Sequence, residues 1–188
     1  MRRGWIGLAA GLAMLALGGT ALAQSQTTGE AKAPYAGSYL KRATLIVSDL
    51  ERSLTIYRDL LGFDATPVWE MSGNSYSYTV FNVDKAAKLR GAMLSAGDTQ
   101  VRTLALFEVT GQPLAVPQSP RVAAVVIDAR GRLAQVMRAV KAMGLESFPT
   151  RDLKTPEGAT GTEWGFVDPD GHLVVLYELN QPDTPSPR

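Results

Sequence analysis

An α+β fold made of two βαβββ units is what this 188-residue sequence predicts. Three observations carry it. In RATLIVSDLERSLTIYRDLLGF, from Arg42 to Phe63, a strand, a helix and a glycine stop follow one another. The same order returns from RVAAVVID (Arg121 to Asp128) to Gly144. Each half then closes on an apolar strand ending in glutamate, LALFE with Glu108 and VVLYE with Glu178. Two copies of one supersecondary unit are the economical explanation of that recurrence.

The first 23 residues stand outside this plan. Arg2 and Arg3 precede an apolar run from Trp5 to Leu17, and Ala21-Leu22-Ala23 supplies a small-x-small cleavage site, so residues 1–23 read as a secretory signal peptide. Glycines interrupt the run, which is short for a spanning helix of about 20 residues. The expected location is therefore periplasmic or secreted, without membrane attachment after cleavage. Residues 24–38 are polar and lack an apolar period, as a flexible leader does, and residues 181–188 carry three prolines and read as a disordered tail. The folded domain is expected over 39–180, with repeats at about 39–110 and 118–180.

Within the first repeat, RATLIVSD is an alternating strand, and the Asp49 carboxylate is placed to accept from the free N–H groups of the following helix. Leu50, Leu54, Tyr57 and Leu61 recur at helical spacing, and Gly62 is the stop. Two strands should follow, over Phe63 to Trp69 and about Leu89 to Leu94. The intervening Ser72 to Lys88 exceeds the plan, and its SYSYTVF reads as an extra strand or a lid. In the second repeat RVAAVVID is expected to be buried and to end in Asp128. Leu133, Val136, Met137, Val140 and Met143 form the helical stripe, and further strands fall near Ser147 to Asp152 and over Thr162 to Val167. Asp168-Pro169-Asp170-Gly171 is a turn, because proline presets φ and glycine takes the left-handed position.

Composition excludes several classes. With no cysteine, there is neither a disulfide nor a thiolate site. Lys and Arg number 19 against 18 Asp and Glu, and so even a balance argues against a nucleic-acid partner. GATGTEWG (158–165) is a loop entering a strand rather than a phosphate cradle. A Ser-His-Asp arrangement would need His172, the sole histidine, which shares a strand face with Val174 and Leu176 and reads as a solvated turn residue.

VSDLERSLTIYRDLLGF and FVDPDGHLVVLYE resemble the vicinal oxygen chelate superfamily of glyoxalases, fosfomycin and bleomycin resistance proteins and extradiol dioxygenases. The resemblance implies that the two βαβββ units are paired into a half-open sheet around one cavity and, in most enzymatic members, that a divalent metal is held there. In such members a histidine stands seven residues before the strand-end aspartate, where this chain has Arg42 and, counted from Asp128, Arg121. A carboxylate follows the turn glycine by four residues, where Val175 stands, and its counterpart in LALFE is Ala105. Guanidinium has no lone pair to offer, and alanine and valine have no donor. No metal and no other cofactor are therefore expected.

Glu108 and Glu178 each lie three residues beyond a lost ligand position, on the other strand face, and read as solvated or interface-facing charges. Arg42 and Arg121 are either solvated strand starts or two cations facing the cavity and favouring an anion. With Ala105, Val175 and Tyr177, which shares the face of Val175, they form the candidate ligand-binding set. The expected partner is a small-molecule ligand, and a homodimer is left open. Two rival readings are a lyase, isomerase or dioxygenase with a non-standard metal site or none, and a protein-interaction module using an open sheet face.

Overall fold

The computed structural model describes residues 40–115 and 120–180. The chain divides into two units, Met1–Tyr35 and Ala36–Arg188, and every described residue belongs to the second. The expected signal peptide, leader and tail lie outside the described residues.

The first half runs β1 (Ala43–Val47), α1 (Leu50–Leu54) continuing into a π-helical turn (Thr55–Leu60), β2 (Asp64–Ala65), β3 (Trp69–Glu70), α2 (Ser77–Val80), β4 (Lys88–Ser95) and β5 (Leu104–Thr110). The second half repeats it as β6 (Ala124–Asp128), α3 (Leu133–Ala142), β7 (Arg151–Lys154), β8 (Thr160–Val167) and β9 (Leu173–Leu179). Each half makes its own sheet, ordered β1-β5-β4-β2 with β3 also on β4, and β6-β9-β8-β7. The first strand of each pairs in parallel with the last, β1 with β5 and β6 with β9, while the others are antiparallel. This is the expected α+β plan. The strand expected over Phe63 to Trp69 is two short ones, β2 and β3, because Pro67 between them cannot donate to a ladder.

Local chemistry sets the helix ends. Asp49 caps α1 by accepting from the Arg52 N–H at 3.0 Å, and Gly62 ends the helical segment at φ +82°. A Cβ at Gly62 would also collide with the Arg132 guanidinium, so two constraints select glycine there. Asp128 behaves differently from Asp49. Its carboxylate accepts from the Arg130 N–H at 2.9 Å, and the chain turns through Ala129, Arg130 and Gly131 before α3 begins after Arg132. The connection from strand to helix is therefore two residues in the first half, Ser48 and Asp49, and four in the second, Ala129 to Arg132.

Glu108 and Glu178 correct the reading that both are solvated. Each accepts from the first N–H of the neighbouring helix, Leu50 at 2.8 Å and Leu133 at 3.1 Å. Glu108 is buried and held by both ends of the Arg90 guanidinium. Their expected placement on the strand face opposite Ala105 and Val175 agrees with the structure. That face packs on helices, so a carboxylate there neutralises orphan helix donors rather than meeting water.

One continuous core joins the halves. Val47, Leu50, Tyr57, Leu94 and Leu106 from the first pack with Val136, Val140, Phe166, Val174 and Leu176 from the second. The Ser72 to Lys88 segment is not an added strand. It forms one helical turn whose Tyr78 packs with Val83, Leu89 and Val109 in a second cluster, its hydroxyl donating to the Ala87 carbonyl.

Candidate functional site

The turn between β8 and β9 reaches across to the first half and fastens the two together. The Asp168 carboxylate accepts from the Tyr57 hydroxyl at 3.0 Å and from the backbone N–H groups of Asp170 and His172. Asp170 accepts from the Ser48 N–H at 3.0 Å and from Arg52 at 3.3 Å. The His172 ring Nε2 lies 2.8 Å from the Ile46 carbonyl, which can only accept, so Nε2 carries the proton. The expectation of a solvated His172 fails because the carbonyl on the unpaired edge of β1 needs a donor.

Burial raises the Asp168 pKa against the opposing pull of His172 and the hydrogen bonds it accepts. Burial, followed by the Asp168 charge, pushes the Tyr57 hydroxyl well above its usual range. A carboxyl whose folded pKa lies above its unfolded value adds stability at low pH and loses that contribution as pH rises through the folded value. Asp168→Asn keeps an acceptor for both N–H groups and removes the titration. It should flatten this pH dependence at little cost near neutrality, whereas Asp168→Ala strands three donors and should cost about 2 kcal/mol in denaturant melts.

The outer faces of the two sheets differ. On the first, Phe107 is covered edge-on by Trp69 and Phe81, with ring centroids 6.2 and 6.1 Å away, and Ala105 beside it is fully buried. On the second, Val126 is 62 % exposed and the strand alternates exposed with half-buried residues. RVAAVVID is thus not the buried strand expected, since only its inner face meets the core. A polar row crosses this open face, because the register sets Asp128 level with Tyr177, Tyr177 with Glu163 and Glu163 with Arg151. Trp164, whose facing the sequence left undecided, turns inward and stacks on Phe166.

Between the halves, where β1 and β6 present unpaired edges to each other, lies a cavity of about 650 Å³. Ala43, Phe63 and Gln100 line it from one side, and Ala124, Asp128, Arg130 and Tyr177 from the other. A smaller cavity of about 400 Å³ touches Thr44, Arg121, His172 and Leu173.

The family model for the Glyoxalase/Bleomycin resistance protein/Dioxygenase superfamily matches residues 39–176. The chain belongs to this superfamily. A glyoxalase family protein from Bacillus cereus superposes with a TM-score of 0.54 at 14 % identity, covering 77 % of this chain and 98 % of the other. A glyoxylase/bleomycin resistance protein/dioxygenase domain from Frankia sp. gives 0.52 at 16 % identity, covering 76 % and 98 %. The fosfomycin resistance protein FosX from Listeria monocytogenes gives 0.47 at 18 % identity, covering 75 % and 93 %. No curated protein sequence matches.

The ladder register also corrects one position of the superfamily pattern. Glu108 and Glu178 do the same work at their helices, so Thr44–Ala105 is level with Val126–Val175, and Arg42 is level with Ala124 rather than Arg121. Counting back from Asp128 lands three residues early because Asp128 is level with Ile46, three residues before Asp49. The positions that would present metal ligands are thus Arg42, Ala105, Ala124 and Val175. None offers a lone pair, and among the described residues no group of three His, Cys, Asp or Glu side chains could hold a metal. The superfamily's metal does not fit these residues.

The two candidate arginines do not share a cavity. Arg42 donates to the Arg102 carbonyl at 3.0 Å, and Arg121 reaches Glu146 at 3.1 Å with its guanidinium over the Phe148 ring. Its Nε is buried without a partner among the described residues. Ala105 is inaccessible; Val175 and Tyr177 stand on the open face, and Tyr177 lines the larger cavity. Asp128, Glu163, Arg130 and Arg132 were not singled out. The first two share Tyr177's face by strand parity, a signal present in the sequence only once the register is known.

Proposed function

We propose that this chain is an exported member of the superfamily that binds a small, anionic organic molecule without a divalent metal. One observation supports the reading best: four ligand positions without donors coexist with an open cavity of about 650 Å³, a volume suited to a small organic ligand. The relatives carry names of small-molecule chemistry and antibiotic resistance, which fits a ligand of that class. Tyr177 and Val175 are the contacts proposed from the open face, and Arg121 from the smaller cavity. Export rests on residues 1–23, and neither nucleic acid nor membrane is a proposed partner.

Mass spectrometry of protein purified from the periplasm or medium, under native and denaturing conditions, tests this reading. The expected result is an organic anion released on denaturation, or a thermal shift with carboxylates or phosphate esters. A ligand at 100 times its dissociation constant adds about 2.7 kcal/mol. The absence of both a retained compound and any thermal shift would contradict the reading.

An enzyme acting by metal-free proton transfer is the second reading, favoured by the Asp128–Tyr177–Glu163–Arg151 row. Two carboxylates flanking a phenol across an open sheet face provide acid and base groups. Turnover of the retained compound by the wild type, lost in Glu163→Gln with binding intact, would establish it.

A further inference from the structure

We propose that the larger cavity is a carboxylate site in which Arg130 and Arg132 receive the acid group of a small organic acid. This rests on the small-molecule reading above and gives its ligand a class and a place.

The two βαβββ units are closed against each other unequally. On one side the β8–β9 turn crosses the gap, and its Asp170 carboxylate accepts from Ser48 and Arg52 while His172 satisfies the exposed edge of β1. On the other side the corresponding turn, between β4 and β5, folds back on itself. Its Ala96 N–H donates to the Gln100 carbonyl, its Arg102 N–H to Ser95 Oγ, and its Thr103 hydroxyl to Gln100. With the crossing turn the gap on the first side holds a cavity of about 400 Å³, and without one it widens here to about 650 Å³. A carboxylate supplied by the protein completes one side. The cations at the other side, where Arg130 Nε meets the Asp128 carboxylate only loosely at 3.7 Å, suit a carboxylate supplied from outside.

Arg132 spends one nitrogen on the Leu60 carbonyl, at the end of the helical segment, and lies directly over Gly62. Arg130 stands at the cavity wall with its side chain 76 % exposed and its backbone at φ +47°. A left-handed non-glycine residue is strained by about 1 kcal/mol, and glycine there would relieve it. The described non-glycine residues at positive φ are Asn82, Arg102 and Arg130, so two are arginines in the turns bordering this gap. Guanidinium pairs with carboxylate through two parallel hydrogen bonds, and Leu61, Phe63 and Val126 offer an apolar wall for the body of the acid. Because the cavity reaches Ala43 and Leu104, on the core side of β1 and β5, it is distinct from the covered face where Ala105 lies.

Titration of the purified chain with phenylacetate and with neutral phenylacetamide, at moderate salt, tests the site. Phenylacetate should bind at least about tenfold more tightly than the amide. Arg130→Gly should weaken phenylacetate about five- to tenfold while melting within about 2 °C of the wild type, since relieved strain and added unfolded-chain entropy nearly cancel. Arg138→Gln, which removes the same charge from an exposed helix face, should leave binding unchanged. Equal affinity for acid and amide, full affinity in Arg130→Gly, or no binding of phenylacetate at millimolar concentration would overturn the site. The small-molecule reading survives all three if the retained compound still binds, and falls separately if nothing does.

Discussion

A fragment ending at Leu114 should not fold. Its α1 and π-turn residues Leu50, Leu54, Ile56 and Tyr57 would lose their packing partners in α3 and β8–β9, because the main core is shared by both halves. The Tyr57 hydroxyl would lose Asp168, and Ser48 and Arg52 would lose Asp170. About 70 residues close a core poorly even when a sheet face is covered, and here the helix face would be bare. Circular dichroism of the fragment should show no cooperative melt. A soluble half with a sharp transition would mean that the repeats are independent domains.

The largest single-residue loss is expected at Glu108. Replacement by alanine leaves the Leu50 N–H without an acceptor and the Arg90 guanidinium without its partner. Removing one member of a buried pair costs several kcal/mol, but Arg90 is 39 % exposed and water screens what remains, so about 2–3 kcal/mol is expected. Against a typical total of about 5–15 kcal/mol this is a large fraction. The hydrogen bonds from Arg90 hold the Glu108 pKa below the usual carboxylate range, with the Leu50 N–H adding to the effect against burial. The sign is opposite to that of Asp168. A depressed folded pKa contributes stability above the unfolded value and loses it as pH falls through the folded one. Chemical denaturation between neutral and acid pH should show a steeper acid loss in wild type than in Glu108→Gln. Parallel curves would mean that the pair contributes nothing.

The sequence disclosed the repeat because its marks are local. Asp49 announces a cap, Gly62 and Gly144 announce stops at positive φ, and the DPDG turn announces a hairpin. What it hid was non-local. Asp128 looks like Asp49 yet binds its own loop and stands level with Ile46 on the strand, so counting from it puts Arg121 out of the equivalent place. Glu108 and Glu178 were assigned to the correct face, but which partner covers a face depends on helix packing that periodicity does not encode. The plugging of the first sheet by Phe81 and Phe107 depends likewise on an inserted segment with no period of its own.

Superfamily membership is established, so the claim most in need of test is that the cavity works without the metal that the fold's pattern implies. Purified protein, dialysed without chelator, should be analysed for Mn, Fe, Ni and Zn and then titrated calorimetrically with Mn²⁺, Ni²⁺ and Zn²⁺. Arg42, Ala105, Ala124 and Val175 predict substoichiometric metal throughout and no saturable binding tighter than about millimolar. One tightly held equivalent that resists dialysis, with ligand binding lost on chelation and restored by the ion, would contradict the account.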